Sequence, residues 1–514
     1  MVKSLFDLSL SVVCQHRLFE ALADLPCQCK QKLLEFFTSH DQISDLQCKE
    51  LISSSVFGNN LTKINFYLTE QLNDDILDAI AKSARNLQQI TLIECQNVTD
   101  QGIISITLNQ KNLRFLELNS LSQFTSDGLK HVLSPVLITV DLSSCAKITS
   151  DGIYHLVLNN PSIRNLFLNH CRGIDDQALY DIAQCIGPNL KTLELDCASN
   201  MLQPTISIQN LSEKCPNLSQ LSLARFFEDT DPYEEIEVRI FGAELKDVDL
   251  YGNYFLALPE MPPTIRSIRL SVSGQEDVID MIQRLGKQTN LQNIHLQLIC
   301  PEEDMNSIDC ANRFLCTFIP YFGTIITRLH ICIQRLNDAA FSIITQNIPN
   351  LINLALDVQH INTHYIHRFF SGGIRSQGSK LRSLRLCRLR ITYRALFAIA
   401  RGAVSLMDLE TSHMSSVDDR FLGLLADNCK NLRNVNFNGC RWISDKGMAA
   451  LARNCSLREV RIRGTGCTDK SLYTLAQFCP EMQWIAHADF SGRPKFSDKA
   501  LQFLRDACIQ RVIC

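Results

Sequence analysis

Three histidines in the stretch HINTHYIH, residues 360–367, stand at i, i+4 and i+7: His360, His364 and His367. Imidazoles at that spacing can share a helical face and begin a zinc site. The metalloprotease version also needs a glutamate directly after its first histidine, as general base. Ile361 stands there instead. The surrounding register puts His360 in a turn after a strand and starts a helix near Thr363, so the three read as surface or edge histidines. A second stretch, GIRSQGSK at 373–380, is close to a phosphate-cradling loop. That loop needs its lysine directly after the second glycine and a helix behind it. Ser379 intervenes before Lys380, and a strand over Leu381–Leu386 follows, which makes the stretch a flexible junction. The GTG at 464–466 is too short to carry meaning. No nucleophile elbow and no paired carboxylates with an evident pocket stand out. The expectation is a protein that is not an enzyme, with no catalytic residues, no metal and no cofactor.

The elements that position these residues come from a repeat. LQQITLIECQNVTD at 87–100 is echoed by LITVDLSSCAKITSD at 137–151, IRNLFLNHCRGIDD at 163–176 and LRNVNFNGCRWISD at 432–445. The first apolar residue of each such unit falls at Leu61, Leu87, Leu113, Leu137, Ile163, Leu190, Leu218, Leu245, Ile265, Leu291, Ile326, Leu351, Leu381, Leu406, Leu432, Leu457 and Met482. Most steps are 24 to 28 residues; the exceptions are 20, 35 and 30, after Leu245, Leu291 and Leu351.

Within a unit, apolar alternation gives a short strand with one face inward. A Thr/Ser/Asp-Asp pair follows, suited to helix capping and to a negative first turn. Apolar residues at helical spacing come next, as in Ile153 with Leu156 and Met448 with Leu451. Asn/Pro punctuation then returns the chain to the next strand. A strand and helix of this size cannot bury their apolar faces alone, so neighbouring units must stack.

This pattern resembles the cysteine-containing class of leucine-rich repeat over residues 61–514. The resemblance implies an α/β solenoid, a leucine-rich repeat horseshoe with a parallel concave sheet and outer helices. It implies about 17 units, irregular near 225–265 and 300–325. Cys95, Cys145, Cys171 and Cys440 share one repeat position, while Cys215, Cys429 and Cys479 recur just before a strand. Both sets read as core-lining thiols. The LPEMPP run at 258–263 cannot hold a full helix. The acidic stretch FFEDTDPYEEIE at 226–237 reads as a solvated insertion, with a partner-binding lip as the second option.

With 514 residues, 46% apolar and 20% charged, the chain can bury a large core. A net charge of -4 gives no reason to expect nucleic acid or an anionic membrane. No apolar run approaches the length that spans a bilayer. The run SLFDLSLSVV at 4–13 follows Lys3, yet Asp7 and three serines dilute it and no convincing cleavage site follows. The 22 cysteines are then best read as reduced thiols, with the chain in cytosol or nucleus.

A solenoid of this kind binds other proteins. Its outward strand positions carry Glu117, Asp141, Glu194 and Asp196 in the early units. Later units carry Arg382, Arg385, Arg433, Arg458, Arg461 and Arg463, with Trp484 nearby. A basic C-terminal face can attract an acidic or phosphorylated segment.

Residues 1–60 precede the repeats and form a small all-helical cap. Leu5, Ser9 and Val13 fit the degenerate pattern of an elongin-binding box, in which a short amphipathic helix lies in a groove. Leu25, Pro26 and Leu33 loosely resemble the cullin-contacting box of von Hippel–Lindau-type receptors, with Gln28 in place of the other cullin-box proline. Leu25-Pro26 with Leu33, Leu34 and Phe37 also resembles an F-box that lacks its downstream tryptophan. Across the N-terminus the chain is similar to the antagonist-of-mitotic-exit-network family, with Ser9 where relatives often have cysteine and a far longer array.

These resemblances imply the substrate-recognition subunit of a cullin-RING ubiquitin ligase. Its partners would be elongin C or a Skp-type adaptor, a cullin scaffold and a protein substrate. No nucleic acid and no membrane are expected. Two alternatives stay open: residues 4–52 only cap the solenoid, or the chain is a stand-alone scaffold or inhibitor of the mitotic-exit-antagonist type.

Overall fold

The computed structural model describes residues 25–39, 43, 46–198, 200–227, 240, 244–255, 257–300, 304–387, 389–486, 488 and 490–508. Among them are seventeen strands, sixteen of which begin two residues after an anchor residue, while the seventeenth begins at its anchor, Ile326. Every strand pair with a resolved register is parallel.

Two compact units divide the chain. One runs to Ile268 and takes in Gly286–Asn290, and the other holds Arg269–Leu285 and everything from Leu291 onward. In the first, strands from Lys63–Tyr67 to Asp247–Leu250 follow one another in sequence order. In the second the same holds from Asn293–Ile299 to Trp484–Ala486.

The register aligns equivalent repeat positions. Ile64 pairs with Ile90, Ile90 with Leu116, and Leu116 with Val140. All four are buried, as are the helix residues Ile153, Leu156, Met448 and Leu451. Burying one such side chain stabilises by about 1.5–3 kcal/mol, so a stack of equivalent leucines holds the repeats together.

A second row of contacts ties one repeat to the next. Asp74, Asp100 and Asp419, each the first residue of a helix or within its first turn, accept the backbone N–H of Thr99, Thr125 and Ser444. Each also accepts that residue's hydroxyl at 2.6 Å. Thr99, Thr125 and Ser444 are the N-caps of the following helices. The acidic pair foreseen as a capping device therefore serves the neighbouring repeat as well as its own.

A third row was hidden in the sequence. The residue seven places after the anchor adopts a left-handed backbone in Leu68, Glu94, Ser120, Ser144, His170, Cys197, Arg225, His413, Gly439 and Gly464. Its N–H donates forward to the adjacent repeat, as from His170 to Asp196 at 2.7 Å and from Gly439 to Arg463 at 2.8 Å. Most of these residues are not glycine, so composition gave no cue.

Cys145, Cys171 and Cys440 lie in the core and donate to the carbonyls of Leu118, Leu142 and Thr411, one repeat back, at 2.9, 3.1 and 2.9 Å. Burial pushes the thiols of Cys145 and Cys171 up to about 12. Cys429 and Cys479 are buried as well. The core-thiol reading fits all five.

The irregular steps have physical causes. No helix lies between Asp247–Leu250 and Ser267–Val272 among the described residues, in keeping with LPEMPP. The long step after Leu291 is filled by an 18-residue helix, Met305–Phe322. The step after Leu351 holds the helix Thr363–Phe370 and two 3-10 turns.

Before the repeats, helices Cys27–Ser39 and Leu46–Ser53 and the turn Ser55–Gly58 form a cap. Leu33, Leu34, Phe37, Ile43 and Phe57 make its core.

Candidate protein-recognition surface

In the unit from Leu291 onward the strands present alternate residues away from the core. The sequence-derived basic residues fall into three settings there. Arg385 and Arg461 lie within strands Ser383–Leu386 and Glu459–Arg461. Arg382, Arg433 and Arg458 each precede a strand, and their carbonyls accept two N–H groups of the next one. Arg463 lies beyond its strand, and its Nε is buried without a hydrogen-bond partner.

The face is not uniformly basic, which corrects the sequence-based picture. Glu410, paired in register with Arg385, places a carboxylate oxygen 3.6 Å from its Nε. Arg458 donates from Nε and Nη2 to one oxygen of Glu481 at 3.2 and 2.7 Å. Arg461 lies over the Trp484 ring at 4.6 Å and 3.9 Å from Glu459. Of the predicted set, the structure brings Arg461 and Trp484 together. It leaves the other arginines apart from that pair, with Arg385 and Arg458 each beside an acid about one repeat away.

The acidic side is a real cluster. Glu117 and Asp141 pair directly across adjacent strands. Burial and the Asp141 charge raise the Glu117 carboxyl above its ordinary value. Burial also raises Glu194, against a 2.7 Å hydrogen bond from Asn169, with Asp196, Asp141 and Asp249 adding to the rise. Asp196 accepts the Ser222 hydroxyl at 2.5 Å and the Ala224 N–H at 2.9 Å.

Sequence reasoning missed a histidine pair on the strand face. His295 and His330 lie on adjacent strands Asn293–Ile299 and Ile326–Arg335. Burial, then Arg328 and Arg269, lower the His295 imidazole to about 4. Burial, then Arg385, lower His330, with Asp357 opposing. Their place at the fifth residue of the repeat, where Arg385 and Arg461 also stand, was the available signal.

The three histidines of residues 360–367 do not converge. His360 ends the strand Asn353–His360, rather than following it in a turn, while His364 and His367 belong to the next helix. His367 Nε2 accepts from Arg394 at 3.2 Å. Among the described residues no cluster of His, Cys, Asp or Glu is arranged to hold a metal. Lys380 donates to the Pro349 carbonyl and the Asn350 side chain, both at 3.1 Å, so it is engaged as a tie between repeats. Phe226 and Phe227 are buried, and Phe227 packs edge-on against Phe255. These two aromatics therefore belong to the core, and the acidic residues after them lie outside the described residues.

In the cap, Leu25 is half-buried, Pro26 is exposed and Leu33 is fully buried. Leu33 serves the cap core, so as placed here it offers no surface to an adaptor. Pro26 begins the first helix, its carbonyl accepting from Cys29 and Lys30 at 2.9 and 3.1 Å. Leu5, Ser9 and Val13 lie outside the described residues.

A Leucine Rich repeat family model matches residues 428–452, the unit that contains Cys440. The parallel strands with intervening helices, in each of the two units, have the leucine-rich repeat fold. The chain is similar to GRR1-like protein 1 of Arabidopsis thaliana, with 22% identity over 84% of this chain and 65% of that protein. It is also similar to Antagonist of mitotic exit network protein 1 of Saccharomyces cerevisiae, at 26% over 34% of this chain and 32% of that protein. The Candida glabrata protein of that name is 22% identical over 40% and 37%. The chain thus spans less than two thirds of the length of each of these relatives. Among solved structures, the yeast Rad7 and Elc1 complex aligns over 97% of this chain and 96% of that chain, with 14% identity and a TM-score of 0.38.

Proposed function

We propose that this leucine-rich repeat solenoid is the substrate-recognition subunit of a cullin-RING ubiquitin ligase. In this reading the N-terminal region docks an elongin C or Skp-type adaptor, and the strand face holds a protein substrate. The subunit performs no bond chemistry; it raises the effective concentration of substrate beside the ligase. It works in the cytosol or nucleus.

The observation that carries the reading is the division of labour along the chain. A helical cap closes its own core with Leu33, Leu34 and Phe37 yet leaves Pro26 exposed and Leu46 72% exposed. The repeats turn a strand face of polar, aromatic and oppositely charged residues away from their core, the composition from which specific protein contacts are built. The likeness to GRR1-like protein 1 over most of this chain supports the same reading.

The deciding experiment is affinity purification of the full chain, probed for elongin C and for a Skp-type adaptor. Wild type is expected to retain one of them, and Leu5→Asp with Pro26→Ala to lose it. Recovery of neither adaptor with wild type overturns the ligase reading and leaves a stand-alone binding protein or inhibitor.

A further inference from the structure

We propose that the strand face over Ala355 is a slot for one side-chain carboxylate of an extended acidic protein segment, lined by His330 and Arg385. The inference rests on the strand face being a partner-recognition surface, and it names the chemistry that one part of that face accepts.

The geometry begins with a hydrogen-bond chain across three strands. The Ser271 hydroxyl donates to Gln297 Oε1 at 2.7 Å, and Gln297 Nε2 meets His330 Nδ1 at 2.9 Å. An amide nitrogen only donates, so Nδ1 accepts and the neutral ring carries its proton on Nε2. Ser271 and Gln297 are buried, which fixes the ring in place. His330 is thus a neutral N–H donor held in one orientation.

Register supplies the slot. His330 pairs with Ala355, and Ala355 with Arg385. Two strand spacings of about 4.8 Å separate the imidazole strand from the guanidinium strand, with only a methyl group between them. That gap, donor on one side and cation on the other, has the width of a carboxylate with its hydrogen bonds.

Charge selects the ligand. Arg385 and Asp357 are the charges that act on His330, Arg328 and Arg269 act on His295, and Glu410 lies 3.6 Å from Arg385. Cys332 and Cys387 lie beside Asp357 and Arg385 and are neutral, their thiols raised chiefly by burial. With His330 neutral, the slot offers one N–H and one guanidinium beside the two carboxylates Asp357 and Glu410, so it has room for a single negative charge held by those two donors and not for more. A phosphate dianion would add a second negative charge beside Asp357 and Glu410. A bound carboxylate also favours the imidazolium form of His330, so binding takes up protons as the solution is acidified.

The probe is a fluorescein-labelled decaglutamate peptide, titrated by anisotropy into the full chain at low salt. Arg385→Glu and Ala355→Glu are each expected to weaken binding by about tenfold or more, the second by filling the slot with its own carboxylate. Arg401→Glu carries the same charge change at an exposed residue of the outer helix Tyr393–Gly402, off the strand face, and is expected to leave binding within about twofold. Wild-type binding should tighten from pH 7.5 to 5.5, and His330→Asn should remove that gain.

No binding to wild type, or equal weakening by Arg401→Glu, overturns the slot. A phosphoserine peptide of equal length binding more than about tenfold tighter overturns the monoanion assignment. Folding is separated from binding by imidazole NMR. In Ala355→Glu the His330 titration midpoint should rise, and an unchanged midpoint overturns the proposed geometry. Loss of the adaptor in the purification experiment leaves this measurement untouched, so the two readings fail independently.

Discussion

Asp419 accepts both the backbone N–H of Ser444, at 2.8 Å, and its hydroxyl, at 2.6 Å, although 25 residues separate them. Asp419 opens one outer helix and Ser444 caps the next. The same pairing joins Asp445 to Thr468 and Asp469 to Ser497. A carboxylate in this place does two jobs, because it stabilises the positive N-terminus of its own helix and fixes the start of the following one.

Removing that carboxylate should therefore cost more than removing an ordinary first-turn acid. Asp419→Ala is expected to lower stability by about 1.5–3 kcal/mol, the range for hydrogen bonds to a charged group. Asp338→Ala removes an acid that, among the described residues, receives a single side-chain hydrogen bond, from the Asn362 amide at 3.2 Å, and should cost less than about 1 kcal/mol. Thermal or urea unfolding of the two variants checks the order.

The same staple has a signature in acid. Burial alone would raise the Asp445 carboxyl, but hydrogen bonds from Ser471 and Thr468 outweigh it and hold the group below its ordinary value. A depressed folded pKa means that stability is present above the unfolded value, about 3.9, and is lost as pH falls through the folded one. Asp445→Asn should flatten the fall in melting temperature below about pH 4. An unchanged acid limb would show that Asp445 contributes nothing to it.

Two helix glycines should respond in opposite directions to alanine. A Cβ on Gly447 would overlap Oδ1 of Asp419, the atom that holds the Ser444 N–H. The gain in helix propensity, about 1 kcal/mol, is smaller than the loss of that staple, so Gly447→Ala should destabilise. Gly423, inside the helix Asp419–Asn428, has nothing within 4 Å of a built Cβ. Gly423→Ala should stabilise by about 0.4–1 kcal/mol. Equal melting shifts for the two would refute the steric account of Gly447.

These contacts show what a sequence of this kind discloses. Leu61, Leu87 and the later anchors are legible because a buried strand must alternate, and all but Ile326, which opens its own strand, precede one. The inter-repeat role of Asp419 is not, since nothing local says which repeat its oxygens face. The electrostatics of the face failed for a related reason. Arg385 and Arg461 stand out as charges, yet Glu410 stands 3.6 Å from Arg385 on a strand about one repeat on. The left-handed turn at His413, with φ of 58°, is the one that glycine takes at Gly439 (76°) and Gly464 (65°), so only the fold exposes the equivalence. Leu33 looks like a contact residue in the sequence because the apolar spacing of an adaptor box and that of a packed cap helix are the same.

The core thiols should be chemically silent at neutral pH. At about 12, Cys145 is roughly one part in 30,000 thiolate at pH 7.5, against roughly one in ten for an ordinary thiol. Iodoacetamide on the folded chain is expected to spare Cys145 and Cys171 while modifying Cys310, a half-buried residue beside Arg313 on the helix Met305–Phe322. Raised thiol values also set an alkaline limit. Their stabilising effect is whole below the unfolded value near 8.5 and declines as pH climbs toward 12. Mass spectrometry of the alkylated peptides decides the point, and early labelling of Cys145 would contradict its burial.

Within the cap, stability and docking should separate by residue. Phe37 is fully buried, so Phe37→Ala is expected to cost about 3–5 kcal/mol and to loosen the cap. Pro26 is exposed and its ring meets no core, so Pro26→Ala should shift the melting temperature by no more than an ordinary surface change, within about 0.5 kcal/mol. If adaptor recovery nonetheless falls in Pro26→Ala, the loss belongs to the contact and not to the fold. Hydrogen exchange over residues 27–58 supplies the check. Protection should drop in Phe37→Ala and persist in Pro26→Ala, and a drop in both would make the cap a single cooperative unit in which docking cannot be assigned to the proline.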